Sequence, residues 1–222
     1  MELLYSLVDF IVHLDRHLVE MLSRYGVWIY AILFLIVFAE TGLVVTPFLP
    51  GDSLLFGVGA LAAVDTSGTL SASLAGGLLI VAAVLGNTTN YYVGRWIGPP
   101  AFSGRFRFLR AEHLRRTEEF YERYGALAIV VSRFVPIVRT FAPFVAGVGR
   151  MHVGRFQFYN VAGAVAWVVL FVGGGYLFGN LPIIRDNFGI VTVIIIVVSV
   201  LPIFVGWFKA RRARSTPAAP SR

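Results

Sequence analysis

Apolar residues fill this chain in long blocks, and the places where the blocks break carry the information. Residues 25–45, 74–97, 156–178 and 190–208 are apolar and close to the ~20 residues that a spanning helix needs. Two further apolar segments, 47–64 and 125–148, are interrupted. Pro47 and Pro50 stop any helix continuing from the first run, and Pro136 and Pro143 divide the later one, because each proline lacks an N–H and restricts the residue before it. Once divided, these pieces are too short to cross, so re-entrant helical hairpins are predicted. The first 24 residues follow a third pattern. Leu3, Leu7, Phe10, Ile11, Leu14, Leu18 and Leu22 recur at helical spacing among charged residues, which predicts an amphipathic helix lying on the membrane surface.

The expected fold is therefore an all-α membrane protein with four spanning helices and two opposed re-entrant hairpins. A surface helix covers 1–24 and a membrane domain covers 25–209. The re-entrant segments are 47–64 and 125–148, a cytoplasmic loop occupies 98–124, and 210–222 is a basic, disordered tail. Arg95, Arg105, Arg107, Arg110, Arg115, Arg116 and Arg123 put the 98–124 region in the cytoplasm, whereas 65–73 has no Lys or Arg and suits the outer face. Lys209, Arg211, Arg212 and Arg214 mark a cytoplasmic exit, and four crossings then put both termini inside. A six-span alternative would bury Arg133 and Arg139 at mid-depth in fragments shorter than usual spans. FLPGDS is echoed later by FVPIVRT, at places that suit inverted pseudo-repeats.

Composition agrees with the pattern: 57% of the 222 residues are hydrophobic and 14% charged, which excludes an ordinary soluble domain. With no cysteine, disulfides and thiol chemistry are excluded. A net charge of +7 usually raises the question of nucleic acid. Here the arginines flank apolar runs, so a topology signal and anionic lipid headgroups explain them, and no nucleic-acid partner is expected.

Four charged residues fall inside the apolar breaks: Glu40, Asp52, Arg133 and Arg139. Each costs about 2.5–3.5 kcal/mol at the centre of a membrane helix, so they must pair or line a wet cavity. Carboxylates carry protons, and arginines hold phosphate oxygens through forked hydrogen bonds. Half-helix ends at mid-depth add free N–H groups suited to an anion. Pro136 lets Arg133 and Arg139 converge on one point despite their separation along the chain. The plainer alternative is that Glu40 pairs with one arginine and Asp52 with the other to lock the hairpins together, and Asp52 also fits as an N-cap. Asn87 and Tyr91 are secondary candidates, otherwise explained as helix-packing glue. His13 and His17 are four apart with no third ligand nearby, so a wet helix face is expected, with no metal and no cofactor.

FAETGLVVTPFLPGDSLLFGVGALA, LGNTTNYYVGRWIG, YGALAIVVSRFVPIVRTFAPFVAGVGRM and FQFYNVAGAVAW together resemble the DedA family, whose shared region is the VTT or SNARE-associated domain. The resemblance covers about residues 25 to 180 and implies a polytopic inner-membrane protein with opposed re-entrant hairpins. It also implies lipid translocation, of undecaprenyl phosphate or of phospholipids, often dependent on the proton-motive force. The family's essential acids fall on Glu40 and Asp52 and its essential arginines on Arg133 and Arg139. Some members have Gly-Asp where this chain has Gly86-Asn87, which removes a third carboxylate. The leading expectation is a proton-coupled flippase, with membrane lipids bearing phosphate headgroups and protons as partners. An uncoupled scramblase, an intramembrane lipid-modifying enzyme and a structural protein are the alternatives, and the oligomeric state stays open.

Overall fold

The structure, a computed structural model, describes residues 14–43, 51–97, 125–179 and most of 181–197. Pro47, Pro50, His13, the 98–124 loop, the tail from 210 and much of the fourth apolar run lie outside the described residues. Among the described residues every regular element is helical. In chain order these are α1 (Leu14–Tyr25), a 3-10 turn (Gly26–Trp28), α2 (Ile29–Gly42), α3 (Gly51–Val64) and α4 (Ala72–Ile97). A second 3-10 turn (Gly125–Leu127) leads into α5 (Ala128–Ser132), α6 (Pro136–Val148), α7 (Val153–Phe178) and α8 (Pro182–Arg185). Three stretches are long and apolar enough to cross a membrane: Arg16–Gly42, which includes the first 3-10 turn, Ala72–Ile97 and Val153–Phe178.

α4 and α7 form the central pair, and each carries a single buried stripe. On α7 that stripe runs Phe156, Asn160, Gly163, Ala164, Trp167, Val168, Val172 and Gly175, the three-and-four spacing of one helix face. The outward face stays apolar, with Val169, Leu170 and Phe158 exposed, as a surface wetted by lipid requires. Trp28 and Trp96 are 70% and 88% exposed and stand at opposite ends of the fold, where interfacial anchors belong. α1 keeps its predicted amphipathic character. Its apolar face rests on the protein core, with Leu18 buried there and Met21 and Leu22 packed against it.

Two pairs of short helices, α2 with α3 and α5 with α6, bring their charged ends together in the interior of the fold. Tyr30, at the start of α2, accepts from the Ser71 N–H at 2.7 Å and donates to the Thr69 carbonyl at 3.1 Å. Those bonds set the start of α2 beside the loop that follows α3. The start of α2 and the end of α3 therefore lie at the same end of the fold. At 14 residues α2 rises only about 21 Å, and its end packs at the middle of α4, where Gly42 meets Gly86. The run-length expectation set 25–45 as a full crossing with 65–73 on the far side; the Tyr30 bonds join what it separated. α5 and α6 make the matching excursion from the other end, since α6 finishes against the last turns of α4 and Tyr91 donates to the Met151 carbonyl.

Local sequence repeats in both excursions. Gly26 and Gly125 each take positive φ, +51° and +56°, and each opens a 3-10 turn ahead of the inward helix. A residue with a Cβ is strained there, which explains why both inward turns begin on a glycine. Reciprocal close approaches hold the return helices. Gly59 faces the Val172 carbonyl and Gly175 faces the Phe56 carbonyl between α3 and α7, while Gly147 faces the Tyr91 carbonyl and Gly94 faces the Phe144 carbonyl between α6 and α4. Small residues at these crossings let the backbones meet, which is how helices associate in lipid.

Candidate functional site

The inner ends of the half-helices bring the charged residues together. Glu40 sits in the last turn of α2, and Asp52 is the second residue of α3. Arg133 caps the C-terminus of α5, and Arg139 lies in the first turn of α6. The break between α5 and α6 follows from Pro136. Val135 before it is extended (φ −123°, ψ 101°), and Pro136 opens α6, where its missing N–H costs nothing. Gly51 has a separate reason to be small, because a Cβ there would collide with the Glu40 carboxylate.

Both acids pair with one arginine. Arg139 donates from Nη2 to Glu40 Oε1 at 2.5 Å and from Nη1 to Asp52 Oδ1 at 2.9 Å. All three side chains are buried, so each ion carries a desolvation cost that its partner must match. The plainer alternative, Glu40 with one arginine and Asp52 with the other, is not what the chain adopts.

Arg133 is 1% exposed and has no carboxylate partner among the described residues. Its Nη2 donates to the Asn160 Oδ1 at 2.8 Å and to the Asn160 carbonyl at 3.3 Å, while its Nε and Nη1 have no hydrogen-bond partner among the described residues. Asn160 is tied in turn to the Val84 carbonyl (3.1 Å), Thr88 (3.3 Å) and Gln157 (3.2 Å), which fixes its amide. Two open donor groups on a buried cation have the chemistry to hold an anion.

The convergence that Pro136 was expected to allow is realised on a ring. Arg133 and Arg139 have their Cζ atoms 5.9 and 5.5 Å from the centroid of Trp167, and the Trp167 indole N–H donates to Asp52 Oδ1 at 2.9 Å. Neither Trp167 nor Asn160 stood out in the sequence as a site residue. The available signal was a tryptophan far from either interfacial belt, seven residues beyond an asparagine inside an apolar run, hence on the same side of the helix.

The two secondary candidates separate. Asn87 donates to Asn160 Oδ1 at 3.1 Å and so joins the Arg133 network, with its own Oδ1 unpartnered. Tyr91 is buried against Phe156, with ring centroids 4.3 Å apart, receives a bond from Arg95 at 2.9 Å and holds the Met151 carbonyl. Its role is to tie α4 to the turn before α7.

A buried, mutually compensated charge centre inside lipid-facing helices defines a polytopic membrane protein with a polar site in its interior. Comparison with known proteins narrows the class. The VTT domain family model matches residues 49–177. The chain is 51% identical to Protein DedA of Escherichia coli strain K12 over 219 residues, covering 98% of this chain and 100% of that protein. It is 40% identical to an uncharacterized membrane protein of Mycobacterium tuberculosis strain H37Rv, over 81% of this chain and 79% of the other. It is 36% identical to the inner membrane protein YqjA of Escherichia coli strain K12, over 82% of each. No solved structure matches. The chain belongs to the DedA family of VTT-domain membrane proteins.

Proposed function

We propose that this protein carries a lipid phosphate, undecaprenyl phosphate or a phospholipid with a phosphate headgroup, across the cytoplasmic membrane, with Glu40 and Asp52 exchanging protons. The unequal pairing of the two arginines is the observation that supports it. Arg133 offers open donors to a phosphate, while Arg139 is held by the acids. With all four groups ionised, two positive and two negative charges cancel. Protonating Glu40 or Asp52 removes a charge that Arg139 answers, leaving Arg139 free to join Arg133 in a forked grip on the headgroup. Release of the proton restores the acid pairing and displaces the phosphate. Each proton taken up thus offsets a charge that the headgroup brings.

This reading is a transporter, not an enzyme: the site binds and releases an anion by exchanging its partners. The direct test uses the purified protein in sealed vesicles with undecaprenyl phosphate and with phosphatidic acid. A pH gradient should accelerate transfer of the phosphate lipid, and Arg133→Ala should abolish it. Equal transfer with the gradient collapsed would favour uncoupled scrambling, and full transfer by Arg133→Ala would remove the headgroup role.

The same geometry supports a topology that differs from the one run lengths suggest. Arg95, Arg150 and Arg155 lie at the end of the fold where α4 stops and α7 starts, and the arginine-rich segment 98–124 follows α4 directly in the sequence, so that end faces the cytoplasm. Residues 65–71 and the start of α2 share the other end through Tyr30. The segment 14–28 then faces outward, and the two hairpins enter from opposite faces to meet at the charged centre.

A further inference from the structure

Resting on the lipid-phosphate reading, we infer that Trp167 is a positioning residue that couples the acid pair to the open arginine. It is fully buried in α7 and touches three of the four charged side chains. Its indole N–H and Arg139 Nη1 both donate to the same atom, Asp52 Oδ1, each at 2.9 Å. Its ring meanwhile carries both guanidinium groups within about 6 Å, the range in which an aromatic face attracts a cation. That attraction offsets part of the repulsion between two like charges and keeps Arg133 beside Arg139 with no carboxylate of its own among the described residues. Asn160, two turns earlier on the same side of α7, holds Arg133 from its other edge.

Every element around the ring contributes a defined group: α2 supplies Glu40 through its bond to Arg139, α3 supplies Asp52, the end of α5 supplies Arg133 and α6 supplies Arg139. α4 carries one charged residue, Arg95, which is bonded to Tyr91 at its far end. When Asp52 takes up a proton, the indole N–H loses a charged acceptor. The ring that seats Arg133 is held by that same bond, so a change at Asp52 reaches Arg133 although no carboxylate pairs with it among the described residues.

Trp167→Phe keeps an aromatic face and removes the N–H; Trp167→Leu removes both. In the vesicle assay, Trp167→Phe should change the pH profile of transport, because the bond from the indole to Asp52 Oδ1 is lost. Trp167→Leu should lower transport about tenfold or more at every pH. A packing role alone would reduce the amount of folded protein and leave the pH profile in place. A Trp167→Phe profile that overlies the wild type overturns the coupling role. Should that variant not fold, a chain with Trp28, Trp96 and Trp207 replaced by phenylalanine leaves Trp167 as the sole indole. Its emission should change saturably on titration with phosphatidic acid in detergent, and the change should vanish with Arg133→Ala. Unchanged emission while phosphatidic acid binds by equilibrium dialysis overturns the role. A wild type that neither binds nor moves phosphate lipids fails the lipid-phosphate reading instead.

Discussion

Arg133 and Arg139 lie against the same indole ring, yet both acids of the site pair with Arg139 and, among the described residues, Arg133 keeps two donor groups unpartnered. The two arginines therefore differ in what their removal leaves behind. Arg139→Ala strands two buried carboxylates and should destabilise the protein by about 3–5 kcal/mol, the cost of breaking a buried pair from one side. Adding Glu40→Gln and Asp52→Asn should recover much of that loss. Arg133→Ala leaves no stranded acid among the described residues and should unfold within about 1–2 kcal/mol of the wild type while losing transport. Thermal unfolding in detergent, read beside vesicle transport, separates the two; equal destabilisation would contradict the pairing.

Close helix crossings should respond to a single methyl. Gly59→Ala and Gly147→Ala place a Cβ onto the Val172 and Tyr91 carbonyls and should each cost about 1–3 kcal/mol. Gly77→Ala is the control, because its Cβ would meet nothing within 4 Å and alanine favours the helix by up to about 1 kcal/mol. Detergent-denaturation midpoints for the three variants should fall, fall and hold or rise.

Absence of native cysteine makes topology directly measurable. Ser23→Cys and Ser67→Cys should react with a membrane-impermeant maleimide added outside intact cells. His152→Cys should react only after permeabilisation. Labelling of Ser67→Cys but not Ser23→Cys from outside would restore the crossing that run lengths suggest and refute the shared end built by Tyr30.

The 65–71 loop should be insensitive to pH across the working range. Asp65 accepts from the Ser67 hydroxyl at 2.6 Å, the Leu70 N–H at 2.8 Å and the Ser67 N–H at 3.0 Å. The Ser67 hydroxyl, with the backbone donors behind it, holds the Asp65 carboxyl below its ordinary value. A lowered carboxyl stabilises the fold fully above its unfolded value, near pH 4, and loses that contribution as pH falls through the lower folded value. Between pH 5 and 8 the loop should hold, and Asp65→Asn should remove the dependence and loosen the turn. Amide exchange at Ser67 and Leu70 reads both effects; a change in protection between pH 5 and 8 in the wild type would count against it.

Periodicity and proline placement were enough to make the helices legible. Apolar runs near the length of a bilayer, Pro136 between two arginines, and four charges that lipid will not accept alone pointed to α4, α7, the broken segments and Glu40, Asp52, Arg133 and Arg139 as one centre. Those features are local, because they depend on what one stretch of chain can satisfy by itself. Which acid meets which arginine is a matter of distance across four helices, and only packing decided that both would meet Arg139. Trp167 and Asn160 read in one dimension as ordinary members of an apolar run. Their part appears when α7 turns that face toward the tips of two hairpins. That the start of α2 and the loop after α3 share one end was likewise invisible to run length, since a Tyr30 hydroxyl reaching Thr69 and Ser71 is a contact between residues about forty apart. Sequence determined which residues could not be left alone in lipid; tertiary structure decided which neighbour answers each one.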